Sequence, residues 1–358
     1  AVPCIISMLV TSIYNMADTY FVSQINTSAS GAVGIVFSIM AIIQAVGFTI
    51  GMGSGSVASR LLGQGLPDRA AVIASSAVVA AVVCGSLLTL AGLGTLEHFV
   101  WILGATETIY PYALQYATYI LWGAPVMCLA FTLNNLLRWQ GKANRSVIGL
   151  GIGGVLNILL DPIFIFVLHL DVAGAALATV LSQMASCAFV LCSLRRKRMP
   201  VRLRWGGFSW RIMRRVLAFG LSPFLIIATD SILLIVLNTV LQRYGGPELG
   251  DTLVTCATIV QSYLLLITMP MGGLTLGSQP VVSFNYGAAN LERIKRAIQS
   301  IVALCVTFCV LMTVVTHTLS PVFVGLFTQN PEVAARSVRY IKVFTAMIIP
   351  LAIQYPLV

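Results

Sequence analysis

Apolar runs of about 20 residues follow one another along the whole chain, each long enough for an α-helix to cross a ~30 Å hydrocarbon slab, with only short polar breaks between them. The chain is 58% hydrophobic and 9% charged, with a mean hydropathy of +0.94, whereas a typical soluble domain carries roughly 25% charged residues. A water-soluble fold is excluded on that ground. Strands of a membrane barrel would read as short alternating segments, but these runs are continuous and end at Gly, Pro and Arg clusters. The expected fold class is therefore all-α and polytopic.

Reading apolar runs between polar breaks gives ten candidate spans, at 1–25, 32–58, 71–93, 108–137, 146–168, 172–194, 216–243, 252–277, 296–318 and 333–356. If successive connections alternate sides, one side collects Arg60 and Arg69, then Arg138, Lys142 and Arg145, then the nine bases between Arg195 and Arg215, then Arg293, Lys295 and Arg296. That is 17 of the 21 Lys and Arg, which marks the cytoplasmic side and puts the amino terminus inside. The formal net charge of +10 is thus concentrated where anionic lipid headgroups lie, and membrane lipids rather than nucleic acid are its expected partner. No cleavable signal pattern precedes the first run, so that helix is expected to serve as an uncleaved anchor.

The eight cysteines form no CxxC pair and have no His at ligand spacing, so small buried hydrophobes are expected rather than disulfides or a metal site. His98, His169 and His317 fall near span ends without converging partners, and no catalytic set is expected.

The segment Ser59–Arg69 (SRLLGQGLPDR) recurs as Ser283–Arg293 (SFNYGAANLER) at an offset of 224, with Gly63 on Gly287 and Asp68 on Glu292. Glu107 falls on Glu332 and Pro125 on Pro350 at 225, and Pro3 on Pro223 at 220. Six spans separate the copies, so both halves run the same way and are related by an axis along the membrane normal, an arrangement found in transporters. The expected organisation is an amino-terminal bundle over 1–200, a basic cytoplasmic linker over 201–215 and a carboxyl-terminal bundle over 216–358. With four spans in the second half, a chain of two six-helix bundles lacking its last two helices is expected.

A charge at the bilayer centre costs about 2.5–3.5 kcal/mol on insertion scales and persists mainly where it meets a cavity or a partner. Asp18, Asp161 and Asp230 lie within spans. Asp161 follows Asn157 by four residues, on one helix face with Gly153 and Gly149, and small residues at that spacing let a neighbouring helix approach. Pro162 removes a backbone N–H beside the carboxylate. One reading makes these acids helix caps near the membrane surface. The other makes them a site where a proton or Na⁺ binds and biases one of two helix arrangements. The aromatics Tyr110, Tyr112, Tyr116, Tyr119 and Trp122 open the fourth span and read first as an interfacial belt, with a ligand cage as the alternative. Gly47, Gly51 and Gly55 read as a packing face.

Several segments resemble the MATE (multidrug and toxic compound extrusion) family, and within it the bacterial MepA-like branch. They are Tyr14–Val22 (YNMADTYFV), Asn135–Gly141 (NLLRWQG), Asn157–Phe164 (NILLDPIF), Gly174–Thr179 (GAALAT), and Gly277–Pro280 (GSQP) with Asn285–Ala288 (NYGA). The match spans the chain in family order. The resemblance implies efflux of cationic, amphipathic drugs in exchange for H⁺ or Na⁺, by a monomer in the bacterial inner membrane and without a cofactor. H⁺ is the preferred coupling ion. Carried over by motif, the cation-coupling residues are Asp18, Asn157, Asp161 and Thr179; the residues expected to bind substrate are Tyr14, Asp230 and Asn238. The tenth span has no acid beyond Glu332, a departure that weakens a second cation site in the carboxyl-terminal half. The competing reading within the superfamily is a lipid-linked oligosaccharide flippase, which would want a cavity lined by cations.

Overall fold

The structure is a computed structural model. It describes residues 2–103, 105–195, 199–201, 203, 208, 210–325 and 331–357, with the side chains of some helical residues, Asp230 and Asn238 among them, outside that description. Among the described residues every regular element is helical: α1 (Val2–Ser23), α2 (Thr27–Gly63), α3 (Pro67–Ile102), α4 (Tyr110–Trp139), α5 (Ala143–Pro162) running into a π-helical turn over Ile163–Val167, α6 (Asp171–Leu194), α7 (Trp210–Gly287), α8 (Leu291–Gly325), α9 (Pro331–Ala346) and α10 (Ile348–Leu357).

Seven helices among the described residues are long and apolar enough to cross a membrane, and an eighth span is made if Pro331–Ala346 and Ile348–Tyr355, which meet at 47°, count as one. The spans read at 216–243 and 252–277 both fall in α7, whose helical dihedrals are broken at Gly246 (φ 61°). A glycine takes that left-handed φ without the Cβ clash other residues suffer. The last expected span corresponds to α9 and α10.

Helix ends follow local chemistry. α2 starts five residues before the span read from hydropathy because the Asn26 side chain accepts from the Ala29 N–H at 2.6 Å, closing the first turn. α3 runs to Ile102, past the expected end at 93, because no proline follows Gly92 and Gly94 to stop it.

By contact density the chain divides into two units. One comprises Ile6–Phe224 with Gln279–Ala289, the other Ala1–Ile5, Leu225–Ser278 and Asn290–Val358. In the first, α4 is the central helix and packs against α2, α3, α5 and α6. Every side chain from Leu133 to Trp139 is buried, as expected of a helix surrounded on all sides. Gly47, Gly51 and Gly55 of α2 lie against Phe131, Asn135 and Trp139 of α4, so the small-residue face is a packing face. Pro125 inside α4 leaves the carbonyl of Leu121 without its helical partner. The Thr89 hydroxyl of α3 donates to that carbonyl at 2.6 Å.

The same unit brings the two copies of the repeated segment together. A Cβ on Gly63 would collide with the Phe284 carbonyl, and one on Gly287 with the Arg60 carbonyl. Ser59 Oγ donates to the Pro280 carbonyl at 3.1 Å. The Arg60 guanidinium sits 4.8 Å from the Phe219 ring centroid and 5.0 Å from that of Tyr286, within cation–π range of both.

In the second unit, Cys256, Ile259, Tyr263, Ile267 and Met271 of α7 pack with Cys305 and Cys309 of α8, Ile341 of α9 and Ala352 of α10. Tyr263 and Thr316 share a buried hydroxyl–hydroxyl hydrogen bond of 2.7 Å.

Candidate functional site

α5 ends in a way that exposes polar chemistry inside the bundle. Pro162 has no N–H, and the chain after it widens into the π turn, closed by Leu168 N–H donating to the Ile163 carbonyl at 2.9 Å. Such wide turns interrupt the regular ladder and are frequent at functional sites. Gly174 of α6 lies directly against the Phe164 carbonyl in this turn. Asp161 is fixed at the junction, with Asn157 one helical turn before it.

Four helices converge there. Asp161 is 0% exposed and Asp18, from α1, is 8% exposed. Asn157 Nδ2 donates to Asp161 Oδ1 at 3.1 Å and to Thr179 Oγ1, from α6, at 3.4 Å. Tyr116 of α4, 0% exposed, donates its hydroxyl to Asp18 Oδ2 at 3.3 Å, and Thr179 lies beside that hydroxyl. The two carboxylates are close enough to act on each other electrostatically, and both act on Tyr116. One oxygen of each acid, Asp18 Oδ1 and Asp161 Oδ2, has no hydrogen-bond partner, nor does Asn157 Oδ1.

Buried polar atoms in proteins are normally satisfied, and an unsatisfied one calls for an explanation. Here three orphan acceptors sit in one place with two acids. The described residues place no Lys or Arg in an ion pair with either acid; the ion pairs among them are Arg296–Glu292 and Arg336–Glu332 on exposed helix turns. A set made only of oxygen acceptors matches a proton or a hard cation such as Na⁺. No group of three or more His, Cys, Asp and Glu side chains that could hold a metal ion occurs among the described residues.

The structure thus brings together Asp18, Asn157, Asp161 and Thr179. Tyr14 lies next to them, packed on Gly154 and beside Gln183. The side chains of Asp230 and Asn238 fall outside the described residues.

Tyr116 was read with the interfacial aromatics and belongs instead to the buried face of α4, where Ala113, Ala117, Ile120 and Ala124 are also buried. Tyr119 and Trp122 are exposed. The three- and four-residue spacing from Ala113 through Tyr116 and Ile120 to Ala124 is the signal that separates them.

A family model described as MatE matches residues 3–163 and 226–357. The chain belongs to the MatE family. Similar to this MatE chain are the multidrug export protein MepA of Staphylococcus haemolyticus, 28% identical over 350 residues that make up 96% of this chain and 75% of that protein, and MepA of Staphylococcus aureus, 26% identical over 353 residues, 98% of this chain and 77% of that protein. Among solved structures, MATE in the bent conformation superposes with a TM-score of 0.92 at 25% identity, covering 99% of this chain and 79% of that one. The outward-facing conformation of a multidrug resistance MATE family transporter of the MOP superfamily superposes with a TM-score of 0.89 at 26% identity, over 98% and 78%. The MatE chain is a multi-pass α-helical membrane protein of a transporter family.

Proposed function

We propose that the chain is a cation-coupled antiporter that exports cationic amphipathic drugs and toxic organic compounds by alternating access. It acts as a monomer in the inner membrane of a bacterium, with its amino terminus cytoplasmic. The observation that carries the reading is the buried Asp18–Asp161 pair, in which each acid keeps one oxygen without a partner. A bound cation supplies what those oxygens lack and favours one helix arrangement. Its departure favours the other, and a ligand shifts such an equilibrium only by its differential affinity for the two states. H⁺ is preferred to Na⁺ as the coupling ion. The names of the Staphylococcus relatives support drug export as the exchanged flux. The flippase reading gains nothing from a site built of two carboxylates, since a pyrophosphate group calls for cations.

The test is efflux of an ethidium-like cation from proteoliposomes under separately imposed proton and sodium gradients, comparing the wild type with Asp161→Asn. Efflux driven by the proton gradient in the wild type and lost in the variant is expected. Equal efflux by the variant overturns the assignment of the site.

A further inference from the structure

α5 and α6 run antiparallel, and their facing positions form an ordered series. Asn157 meets Thr179, Gly153 meets Ser182 and Ser186, and Gly149 meets Val190. Between the first two levels, and bounded by Tyr14 of α1, lies a small pocket lined by the polar side chains of Tyr14, Asn157, Thr179, Ser182, Gln183 and Ser186 and by the apolar Leu150. Its free volume for a water-sized sphere is about 10 Å³, which is room for about one water molecule. A water held in a cavity of that size needs two to four polar partners. Ser186 and Asn157 are buried (1% and 2% exposed), Ser186 Oγ and Asn157 Oδ1 both lack a hydrogen-bond partner, and both residues line the pocket.

At the far end, Val190 Cγ2 would stand 2.8 Å from a Cβ placed on Gly149, with Asn134 Oδ1 at 3.5 Å on the same side. Ser146 Oγ donates to Asn134 Oδ1 at 3.2 Å. The polar groups are therefore interrupted at the Gly149 level, where Val190 comes nearest and Phe189 Cδ1 stands at 3.4 Å, before they resume near the start of α5.

We propose that this pocket is a water site through which a proton passes between the Asp18–Asp161 pair and the Ala143 end of α5, with the Thr179 and Tyr116 hydroxyls as the relay and Val190 as the barrier. It rests on the reading of the carboxylate pair as the coupling site. When the pair is protonated from this route, the pocket water gives a proton to Thr179 Oγ1 as Thr179 passes its own to Tyr116 Oη and Tyr116 passes its own to Asp18 Oδ2. Each hydroxyl gains one proton and loses one, the carboxylate becomes neutral, and the hydroxide left in the pocket is neutralised by a proton arriving from the Asn134–Ser146 side when Val190 moves. The reverse sequence releases the proton. Asn157, which holds Asp161 and Thr179 together, positions the relay and carries no proton itself.

The experiment uses the reconstituted protein with a pH-sensitive dye in the vesicle lumen. Ser186→Leu fills the pocket. Gly153→Ala, which puts a methyl carbon 3.2 Å from Ser186 Cβ and 3.3 Å from the Ser182 carbonyl, narrows it by a smaller change, and thermal unfolding recorded beside efflux shows that the variant is folded. Both are expected to slow proton-driven efflux by about tenfold or more, equivalent to at least ~1.4 kcal/mol of barrier, while equilibrium binding of the exported cation is unchanged. Val190→Ala is expected to do the opposite and admit a proton leak in the absence of substrate. Wild-type rates in both pocket variants and no leak in Val190→Ala, alongside an inactive Asp161→Asn, overturn the water route and leave the coupling site standing. An Asp161→Asn variant that still exports under a proton gradient overturns both.

Discussion

Tyr116 Oη donates to Asp18 Oδ2 at 3.3 Å across the interface of α4 and α1, with both side chains buried. Asp18 Oδ1 has no partner, so among the described residues the tyrosine hydroxyl is the hydrogen-bond donor that holds this carboxylate. Tyr116→Phe keeps the ring that fills the core and removes only the donor. An acceptor left unmet in a buried site costs about 1–3 kcal/mol. The variant is expected to fold, to lose about that much stability, and to export under a cation gradient at a reduced rate. Proteoliposome efflux together with thermal unfolding checks it; wild-type efflux would remove Tyr116 from the site.

Asp161→Asn replaces an acid by an amide of the same shape where one oxygen already lacks a partner. Removing a buried charge that is not fully compensated is neutral or stabilising, and functional sites commonly hold residues that are poor for stability. The expected outcome is an unfolding midpoint equal to or above that of the wild type with cation-driven efflux abolished. A lower midpoint would show that the carboxylate is structural.

Thr89 and Pro125 should be coupled through the Leu121 carbonyl. Thr89→Val leaves that carbonyl unsatisfied and is expected to cost about 1–3 kcal/mol. Pro125→Ala restores an N–H to α4, so the same Thr89→Val change should cost less in that background. A double-mutant cycle reads the difference, and strict additivity would mean that Thr89 does not serve the proline gap.

Arg60 lies within cation–π reach of two rings, and Lys cannot reproduce its planar, delocalised guanidinium. Arg60→Lys is expected to lose about 0.5–2 kcal/mol, the range for such contacts, and Phe219→Leu in the Arg60→Lys background should then cost little more. Chemical or thermal unfolding of the single and double variants tests this.

Much of the site could be read from the chain before any coordinates. The four-residue step from Asn157 to Asp161 fixes a shared helix face, and Pro162 marks the place where the helix widens. Asp18 stands out as an acid within a span, but its meeting with Asp161, and the part of Thr179, were legible only through the family segments that contain them, because nothing in spacing within one helix says which side chain of another helix will face it. Tyr116 was obscured by four neighbouring aromatics of similar character, although its step to Ala113 and Ile120 sets it apart. The water pocket was not legible at all: Ser182, Gln183 and Ser186 read as ordinary polar positions of a packed helix, and their role depends on the register of α6 against α5. Helix ends were missed where a side chain rather than hydropathy decides them, as Asn26 does for α2.

Gly63 and Gly287, two equivalents of one repeated position, each rest on the main chain of the other copy. Backbone atoms have no smaller substitute, so neither glycine can acquire a side chain without displacing its counterpart. The repeat is thereby frozen at this point. Whatever divergence the two halves accumulate elsewhere, the sequence here is constrained twice over, once by each copy, and a single added methyl group would be felt in both.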